Sequence, residues 1–281
     1  MRRVPRQDID LASLYLQCKD AKRSPAVRAR LEISQAIVIN AAQRYRTLGQ
    51  SAQIFQFTQP QIPGNSATKR DMVSLYDSGL AKKAGVGRWA YDRIKTAAHL
   101  GICPLCGQRA VGTLDHYLPK ESLWILAISP DNLIPSCSDC NFAKSRFCAQ
   151  NAGEQPFHPY FDDADDSQWL FARLERANGL SVTFYVQDVG AWSPEKRERA
   201  RNHFRIFRLN ALYTTQAAEE LVNIRTRLST LHGVGGKEAV QSHLQEEAVS
   251  RRSNHLNSWQ TALYAALAQD EQFCEGDFND I

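Results

Sequence analysis

Two Cys-x-x-Cys pairs constrain this chain more than any other feature of its sequence. Cys103 and Cys106 form the first pair, Cys137 and Cys140 form the second, and residues 107–136 separate them. Two such pairs supply the number and type of ligands that tetrahedral zinc takes in structural sites. Because four thiolates complete the coordination of the ion, we expect a structural Zn²⁺ that does not contact substrate.

A disulfide framework and a dithiol redox site are the two other uses of paired cysteines. Disulfide frameworks are typical of secreted chains. The first residues are basic, but Asp8, Asp10 and Gln17 interrupt any apolar segment of a signal peptide, so we expect a cytoplasmic protein. Redox pairs of the thioredoxin type usually occur singly, whereas two pairs are present here. Zinc binding is therefore the favoured interpretation.

The composition is that of a globular chain with a sizeable core. In 281 residues, 43% of the side chains are hydrophobic and 23% are charged, which excludes fibrous, low-complexity and wholly disordered classes. No run approaches the roughly 18 to 20 apolar residues that a membrane span needs. We expect no membrane partner.

Positive charge is concentrated in the first third of the chain. The net charge is +4, yet residues 1–100 hold 17 Lys and Arg against 7 Asp and Glu, a balance of +10. Such an excess indicates a phosphate-rich partner, although acidic proteins and anionic lipid would also suit it. A helix predicted from Ser193 carries arginines at helical spacing, which fits a phosphate-binding stripe and a solvated face equally. They are Arg197, Arg201, Arg205 and Arg208.

The chain separates into three regions by its local pattern. Residues 1–100 are predicted to be mainly helical, with one helix from Ser24-Pro25 to before Gly49. Residues 101–160 are rich in Pro, Cys and Asp, as in a small irregular module. Residues 161–281 are predicted to be mainly helical, with a break at Gly233–Gly236. Within them, residues 170–174 and 180–187 could form a hairpin with its turn at Asn178-Gly179, and a helix over 168–177 is equally allowed. We predict an α+β protein in which a small zinc-stapled module is inserted between mainly α-helical N- and C-terminal regions.

Polar residues suited to hydrolysis lie between and just after the cysteine pairs. Asp115 and His116 are adjacent, Asn132 lies midway, and Asn141 follows the second pair directly. Each alone has a structural explanation, as a turn former, a half-buried histidine or a helix cap. Their joint placement around one zinc site indicates a catalytic centre.

Residues 103–146 resemble the HNH, or ββα-metal, nuclease family. The resemblance rests on the two cysteine pairs, the Asp115-His116 step, the middle Asn132, and Asn141 on the helix that follows. The third signature position holds Asn141 instead of His, the H-N-N variant, which shifts the expected catalytic metal towards Mg²⁺ or Mn²⁺. The resemblance implies a ββα-metal fold for residues 101–160 and a metal-dependent endonuclease acting on double-stranded DNA. It also implies a role in restriction or anti-phage defence.

The resemblance further implies a role for each site residue. His116 is the general base, Asp115 and Asn141 hold the catalytic divalent ion, and Asn132 holds the connecting loop and so the imidazole. Two basic residues are expected to contact the phosphates of nucleic acid: Lys120 and Lys144.

Three questions stay open from the sequence. A non-catalytic zinc-ribbon module that binds nucleic acid or a protein would have the same cysteines, but it would have no need of Asp115 beside His116. His158 could be a metal ligand, a substrate contact or a structural residue. The helical flanks are expected to provide grip on a duplex, contacts of a homo-oligomer or a surface for a protein partner.

Overall fold

The computed structural model of the chain describes residues 1–177 and 179–280. Within these ranges it contains helices and two small antiparallel sheets of two strands each, in agreement with the α+β class. The chain divides into two compact units. One comprises Arg2–Asp163, and the other comprises Ala164–Ile281 together with Met1.

The first unit combines the predicted helical region with the cysteine-rich segment. Helix α2 begins where the sequence predicts, because the Ser24 side chain accepts the N–H of Val27 and Pro25 takes the first helical position. The elements of this unit are α1 (Leu11–Asp20), α2 (Pro25–Gln50), α3 (Lys69–Ser74), a π-helix (Leu75–Ala81), α4 (Arg88–Thr96), β1 (Thr113–His116), β2 (Leu133–Ser136) and α5 (Ser138–Lys144).

A strand hairpin covered by helices forms the centre of the first unit. Strands β1 and β2 pair antiparallel, with Thr113 opposite Ser136 and His116 opposite Leu133. Helix α4 packs on both strands, and α5 packs on β1. Lys144, the last residue of α5, donates a hydrogen bond of 2.9 Å to the carbonyl oxygen of His116. The C-terminal ends of β1 and α5 therefore lie against each other.

In its described residues, the second unit contains a strand hairpin, four α-helices and a final 3₁₀-helix, Asp277–Asp280. The region near 168–187 is a hairpin, as one of the two sequence interpretations has it, and the predicted turn residue Asn178 lies outside the described residues. Helix α6 starts at the predicted cap Ser193. The elements are β3 (Leu170–Glu175), β4 (Ser181–Val186), α6 (Pro194–Ile206), α7 (Leu209–Asn254), α8 (Trp259–Gln269) and α9 (Glu271–Cys274).

The predicted break in the long C-terminal helix is present. The backbone of α7 leaves helical geometry at Gly235 and Gly236, and Gly236 has a φ of +63°, which glycine adopts at no steric cost. Beyond it, Arg251 lies 3.8 Å from Glu220, so the two halves of α7 run back along each other. Across the described ranges, no helix combines the length and apolar character that crossing a bilayer requires.

Candidate functional site

The four paired cysteines converge on one buried point. The Sγ atoms of Cys103, Cys106, Cys137 and Cys140 all lie within 4.8 Å of one another, and all four residues are buried. All seven cysteines of the chain lie in the described ranges and are free thiols, which argues against a disulfide framework. Four sulfur atoms at this spacing can bind a metal such as zinc.

Local backbone turns direct these sulfur atoms towards one another. After the first pair, Gly107 takes a φ of +65° and donates to the carbonyl of Cys103 at 2.7 Å. The N–H of Arg109 points at Cys106 Sγ at 3.5 Å. In the second pair, Cys137 is the N-cap of α5 and its Sγ accepts the N–H of Cys140 at 3.3 Å. The start of α5 is thus part of the cysteine cluster.

A cleft of about 560 Å³ opens over β1, the loop that follows it and α5. His116 is the last residue of β1, so Asp115 and His116 both reach the cleft although neighbours within a strand point to opposite faces. Four of the predicted site residues line this cleft: Asp115, His116, Lys120 and Asn141.

The imidazole of His116 is oriented by a backbone carbonyl. Its Nε2 lies 2.8 Å from the oxygen of Ala127, and a carbonyl oxygen can only accept. The proton therefore sits on Nε2, and Nδ1 carries the lone pair that can accept another proton. Burial lowers the pKa of His116 to about 3, and Lys120 and Lys144 add to that effect, so the ring is neutral at pH 7.

Asp115 is a buried carboxylate that lies beside the ammonium of Lys144. Burial raises its pKa to about 6, against the opposing effect of Lys144, whose Nζ lies 3.2 Å from Oδ2. Oδ2 is inaccessible to solvent and has no well-directed hydrogen bond among the described residues. Oδ2 thus faces the Lys144 ammonium, while the residue as a whole lines the cleft.

Lys144 does not occupy the position expected of a phosphate contact. Its side chain is buried, with the ammonium engaged by Asp115 Oδ2 and by the carbonyl of His116. The expectation of a direct contact with nucleic acid overlooked that α5 ends against β1, which places Lys144 beneath the cleft. Lys120, in contrast, lines the cleft, and its Nζ lies 2.6 Å from Asp77 Oδ1.

Asn132 is fully buried and joins the two sides of the connecting loop. Its Oδ1 accepts the N–H of Leu118 at 2.8 Å, and its Nδ2 donates to the carbonyl of Leu118 at 3.0 Å. Its own carbonyl accepts the N–H of Tyr117 at 2.8 Å. These contacts hold the segment directly after His116, which is the loop that the sequence interpretation gave to this residue.

Asn141 lines the cleft one residue after the cysteine Cys140. It is half-buried, and no described residue forms a hydrogen bond with its side-chain amide. The carboxylate of Asp115 and an amide oxygen of Asn141 are ligand types that Mg²⁺ and Mn²⁺ accept. The oxygen ligands that Asp115 and Asn141 offer in the cleft thus fit a hard divalent cation.

His158 lies outside the cleft in an aromatic cluster. It is fully buried, its Nδ1 accepts the N–H of Tyr160 at 3.2 Å, and its Nε2 lies 3.1 Å from the hydroxyl of Tyr45. The rings of Tyr117 and Phe161 each lie 4.5 Å from its ring centroid. Of the three roles open for His158, this position supports the structural one.

Several residues that line the cleft were not predicted from the sequence, among them Tyr76, Phe142 and Arg146. Phe142 is 83% exposed and follows Asn141 on α5. Arg146 follows Ser145, whose φ of +48° ends α5 and reverses the chain. Tyr76 lies in the π-helix, far from the cysteines in sequence, and no local pattern marks it. Arg146 could have been found as a basic residue at the end of the module.

Two of the arginines predicted at helical spacing, Arg197 and Arg201, have partners within the second unit, whereas Arg208 lies beyond Ile206, the last residue of α6. Arg197 donates to the carbonyls of Val189 and Gly190, at 2.9 and 2.8 Å. Arg201 pairs with Asp188 and with Glu198. These contacts favour the solvated-face interpretation of this helix over a phosphate-binding stripe.

One known protein resembles the chain along nearly its whole length. Protein ea31 of Escherichia phage lambda is 27% identical over 297 residues, which cover 98% of this chain and 100% of that protein. The likeness therefore extends through both compact units. No family model matches the sequence, and no solved structure matches it.

Proposed function

We propose that the chain is a metal-dependent endonuclease of the HNH type, in which β1, β2 and α5 form a ββα-metal module stapled by zinc. The observation that carries the proposal is the cleft itself. Asp115, His116 and Asn141 line one cavity, on a hairpin and helix whose junction is built from the four-cysteine cluster. A module that only binds nucleic acid has no need of a neutral imidazole beside a buried carboxylate.

In this proposal His116 activates the attacking water. With Nε2–H donating to Ala127, Nδ1 accepts the proton of the water as its oxygen bonds to phosphorus, and the bond from phosphorus to the leaving 3′ oxygen breaks. Asn132 holds the loop after His116 and so limits the positions that the ring can take. Because the imidazole is neutral at pH 7, it is in the protonation state that a base requires.

Asp115 and Asn141 would hold the catalytic Mg²⁺ or Mn²⁺. Such an ion neutralises charge that develops on the phosphate oxygens during hydrolysis. Lys144 partly neutralises the Asp115 carboxylate from below. The four cysteines would hold a structural Zn²⁺ that has no open position for substrate.

Double-stranded DNA is the proposed substrate. We propose that exposed basic side chains of the first unit bind its phosphate backbone. Lys69, Arg70, Lys82 and Lys83 are all exposed. Contacts of this kind position a duplex without reading its sequence. A role in restriction or anti-phage defence, and any oligomeric or protein contact of the flanks, stay predictions.

A plasmid-nicking assay on the full chain tests the proposal. We expect relaxed and linear plasmid with Mg²⁺ or Mn²⁺ and none with EDTA, at unchanged zinc content. Asn141→Ala is the matched variant, because no described residue hydrogen-bonds to its side chain and its loss should leave the fold intact. Zinc-loaded wild-type protein that binds DNA without cutting it would favour the zinc-ribbon binding module instead.

A further inference from the structure

Tyr76 contacts the imidazole of His116 directly. The two ring centroids lie 4.4 Å apart at an interplanar angle of 70°, an edge-to-face arrangement. Tyr76 is 7% exposed and lines the same cleft. His116 is thus fixed on one side by the Ala127 carbonyl and on another by an aromatic ring.

The segment that carries Tyr76 is itself unusual. Residues Leu75–Ala81 form a π-helix that continues α3. Such helices account for well under 1% of residues and occur frequently at functional sites. The wide turn is braced from outside, since Lys22 Nζ donates to the Ser74 carbonyl at 2.8 Å and Arg88 donates to the Ala81 carbonyl at 2.7 Å. Tyr76 is therefore held on a fixed scaffold.

The same segment also positions Lys120. The ammonium of Lys120 lies 4.6 Å from the centroid of the Tyr76 ring and 2.6 Å from Asp77 Oδ1. Tyr76 therefore contacts both the proposed general base and a cation of the cleft wall.

We propose that Tyr76 is a positioning residue for His116, and that the π-helix of the N-terminal helical region completes the active site of the zinc-stapled module. The inference rests on the proposed function and adds a residue that no motif of the module contains. Its consequence is that the module needs Leu75–Ala81 in order to orient its base. Small displacements of a catalytic group can cost about 100-fold in rate.

Two variants of Tyr76 separate positioning from mere packing. Tyr76→Leu removes the edge-to-face contact and is expected to lower kcat for plasmid cleavage by about 10- to 100-fold with little change in KM. Tyr76→Phe keeps the ring and is expected to restore kcat to within about threefold of wild type. Lys120→Met is the comparison, because loss of a phosphate contact is expected to raise KM and to leave the orientation of His116 unchanged.

Nuclear magnetic resonance of the His116 ring gives a readout that does not depend on activity. In the wild-type chain the ring nitrogens should show a single tautomer protonated on Nε2, with ring protons shifted by the aromatic ring of Tyr76. Tyr76→Leu should remove that shift and mix the tautomers, while Tyr76→Phe should preserve both features. Zinc content and the unfolding midpoint of each variant report whether the fold is intact.

The outcomes separate this inference from the proposed function. If the wild-type chain cleaves and Tyr76→Leu matches its kcat, the positioning role is wrong while the nuclease proposal stands. If the wild-type chain does not cleave, the nuclease proposal fails, and the His116 spectra still decide the inference. Identical spectra in wild type and Tyr76→Leu would overturn it, and the expected change would support it.

Discussion

The ammonium of Lys144 lies 3.2 Å from Oδ2 of Asp115, and both side chains are almost completely buried. The same ammonium donates to the carbonyl of His116 at 2.9 Å. One cation therefore ties the end of α5 to the two residues at the end of β1. Removing one partner of a buried ion pair destabilises the fold, because it leaves an uncompensated buried charge. Replacing both partners by uncharged residues often changes the stability little.

This pair predicts a non-additive response to substitution. Lys144→Met should lower the free energy of unfolding by about 3 to 5 kcal/mol, because the buried Asp115 carboxylate would lose the ammonium beside it. Adding Asp115→Asn to that variant should recover most of the loss, since the buried charge is then absent. Urea titrations of the two single variants and the double variant measure the coupling. If the destabilisation of the double variant equals the sum of the two single destabilisations, the ion pair is contradicted.

Replacing the proposed base should abolish catalysis while leaving the protein folded. His116→Ala is expected to lose about 10² to 10⁴-fold in cleavage rate, the usual contribution of a general base. Zinc content should stay unchanged, because His116 is not among the four sulfur ligands. The matched control is His99→Ala, since His99 is exposed and does not line the cleft. Equal cleavage by His116→Ala and wild type would rule out the role.

The cysteine cluster predicts about one zinc per chain in protein purified without chelator. Cys137→Ala should lose both the metal and the fold around it, since structural zinc contributes on the order of 10 to 16 kcal/mol of apparent binding in small peptides. Cys148→Ala is the control, because Cys148 lies outside the cluster and should keep full zinc content. Elemental analysis decides the matter, and near-zero zinc in the wild-type chain would refute the assignment.

The basic side chains near the π-helix predict a salt-dependent grip on DNA. Each phosphate contact steepens the fall of log K with log salt by about 0.9 on B-DNA. Reversing all four exposed residues to Glu should weaken binding on every sequence alike and flatten that slope, with kcat at saturating DNA retained. The four are Lys69, Arg70, Lys82 and Lys83. A slope equal to that of wild type would place the grip elsewhere, with the arginines of α6 as the next residues to test.

The second unit should lose stability in acid through Asp165. Burial alone would raise the pKa of this carboxyl, but hydrogen bonds from His255 and Asn257 and the charge of the amino terminus lower it to about 2. A carboxyl with a depressed folded pKa stabilises fully above its unfolded value near 4, and this stabilisation is lost as the pH falls from about 4 to about 2. Its size is on the order of 2 to 3 kcal/mol.

Asp165→Asn should therefore reduce the free energy of unfolding at pH 7 and flatten its dependence on pH below 4. Urea titrations at pH 7, 4 and 3 measure both effects. Asp188→Asn serves as the control in the same unit, because Asp188 forms an exposed ion pair with Arg201 and surface pairs contribute little. If the free energy of unfolding falls equally steeply below pH 4 in wild type and in Asp165→Asn, the contribution of this carboxyl is contradicted.

Features set by local chemistry could be predicted from the sequence. Ser24 and Ser193 cap the helices that were predicted to start there, and the glycines at 235 and 236 break α7 as expected. The two cysteine pairs are each local, and their meeting in one cluster was predicted because tetrahedral zinc needs four ligands. In each case the residue types at a few positions carry the information.

Features set by tertiary contact could not be predicted. Lys144 has the sequence context of an exposed basic residue, and only the packing of α5 against β1 buries it. Tyr76 lies in the first hundred residues, which were predicted only to be mainly helical, and its contact with His116 joins residues that no periodicity connects. The π-helix itself has no sequence signature that separates it from an α-helix.

In α5, Cys140 and Asn141 are consecutive, so one backbone segment serves two centres. Successive residues of a helix point about 100° apart, which sends one side chain into the cysteine cluster and the next into the cleft. A substitution at either position can alter one centre alone. An insertion or deletion in α5 before Cys140 would rotate both side chains about the helix axis together. Among homologues, the cleft chemistry is thus free to change by replacement of Asn141, while the length of α5 should stay fixed wherever the cysteines persist.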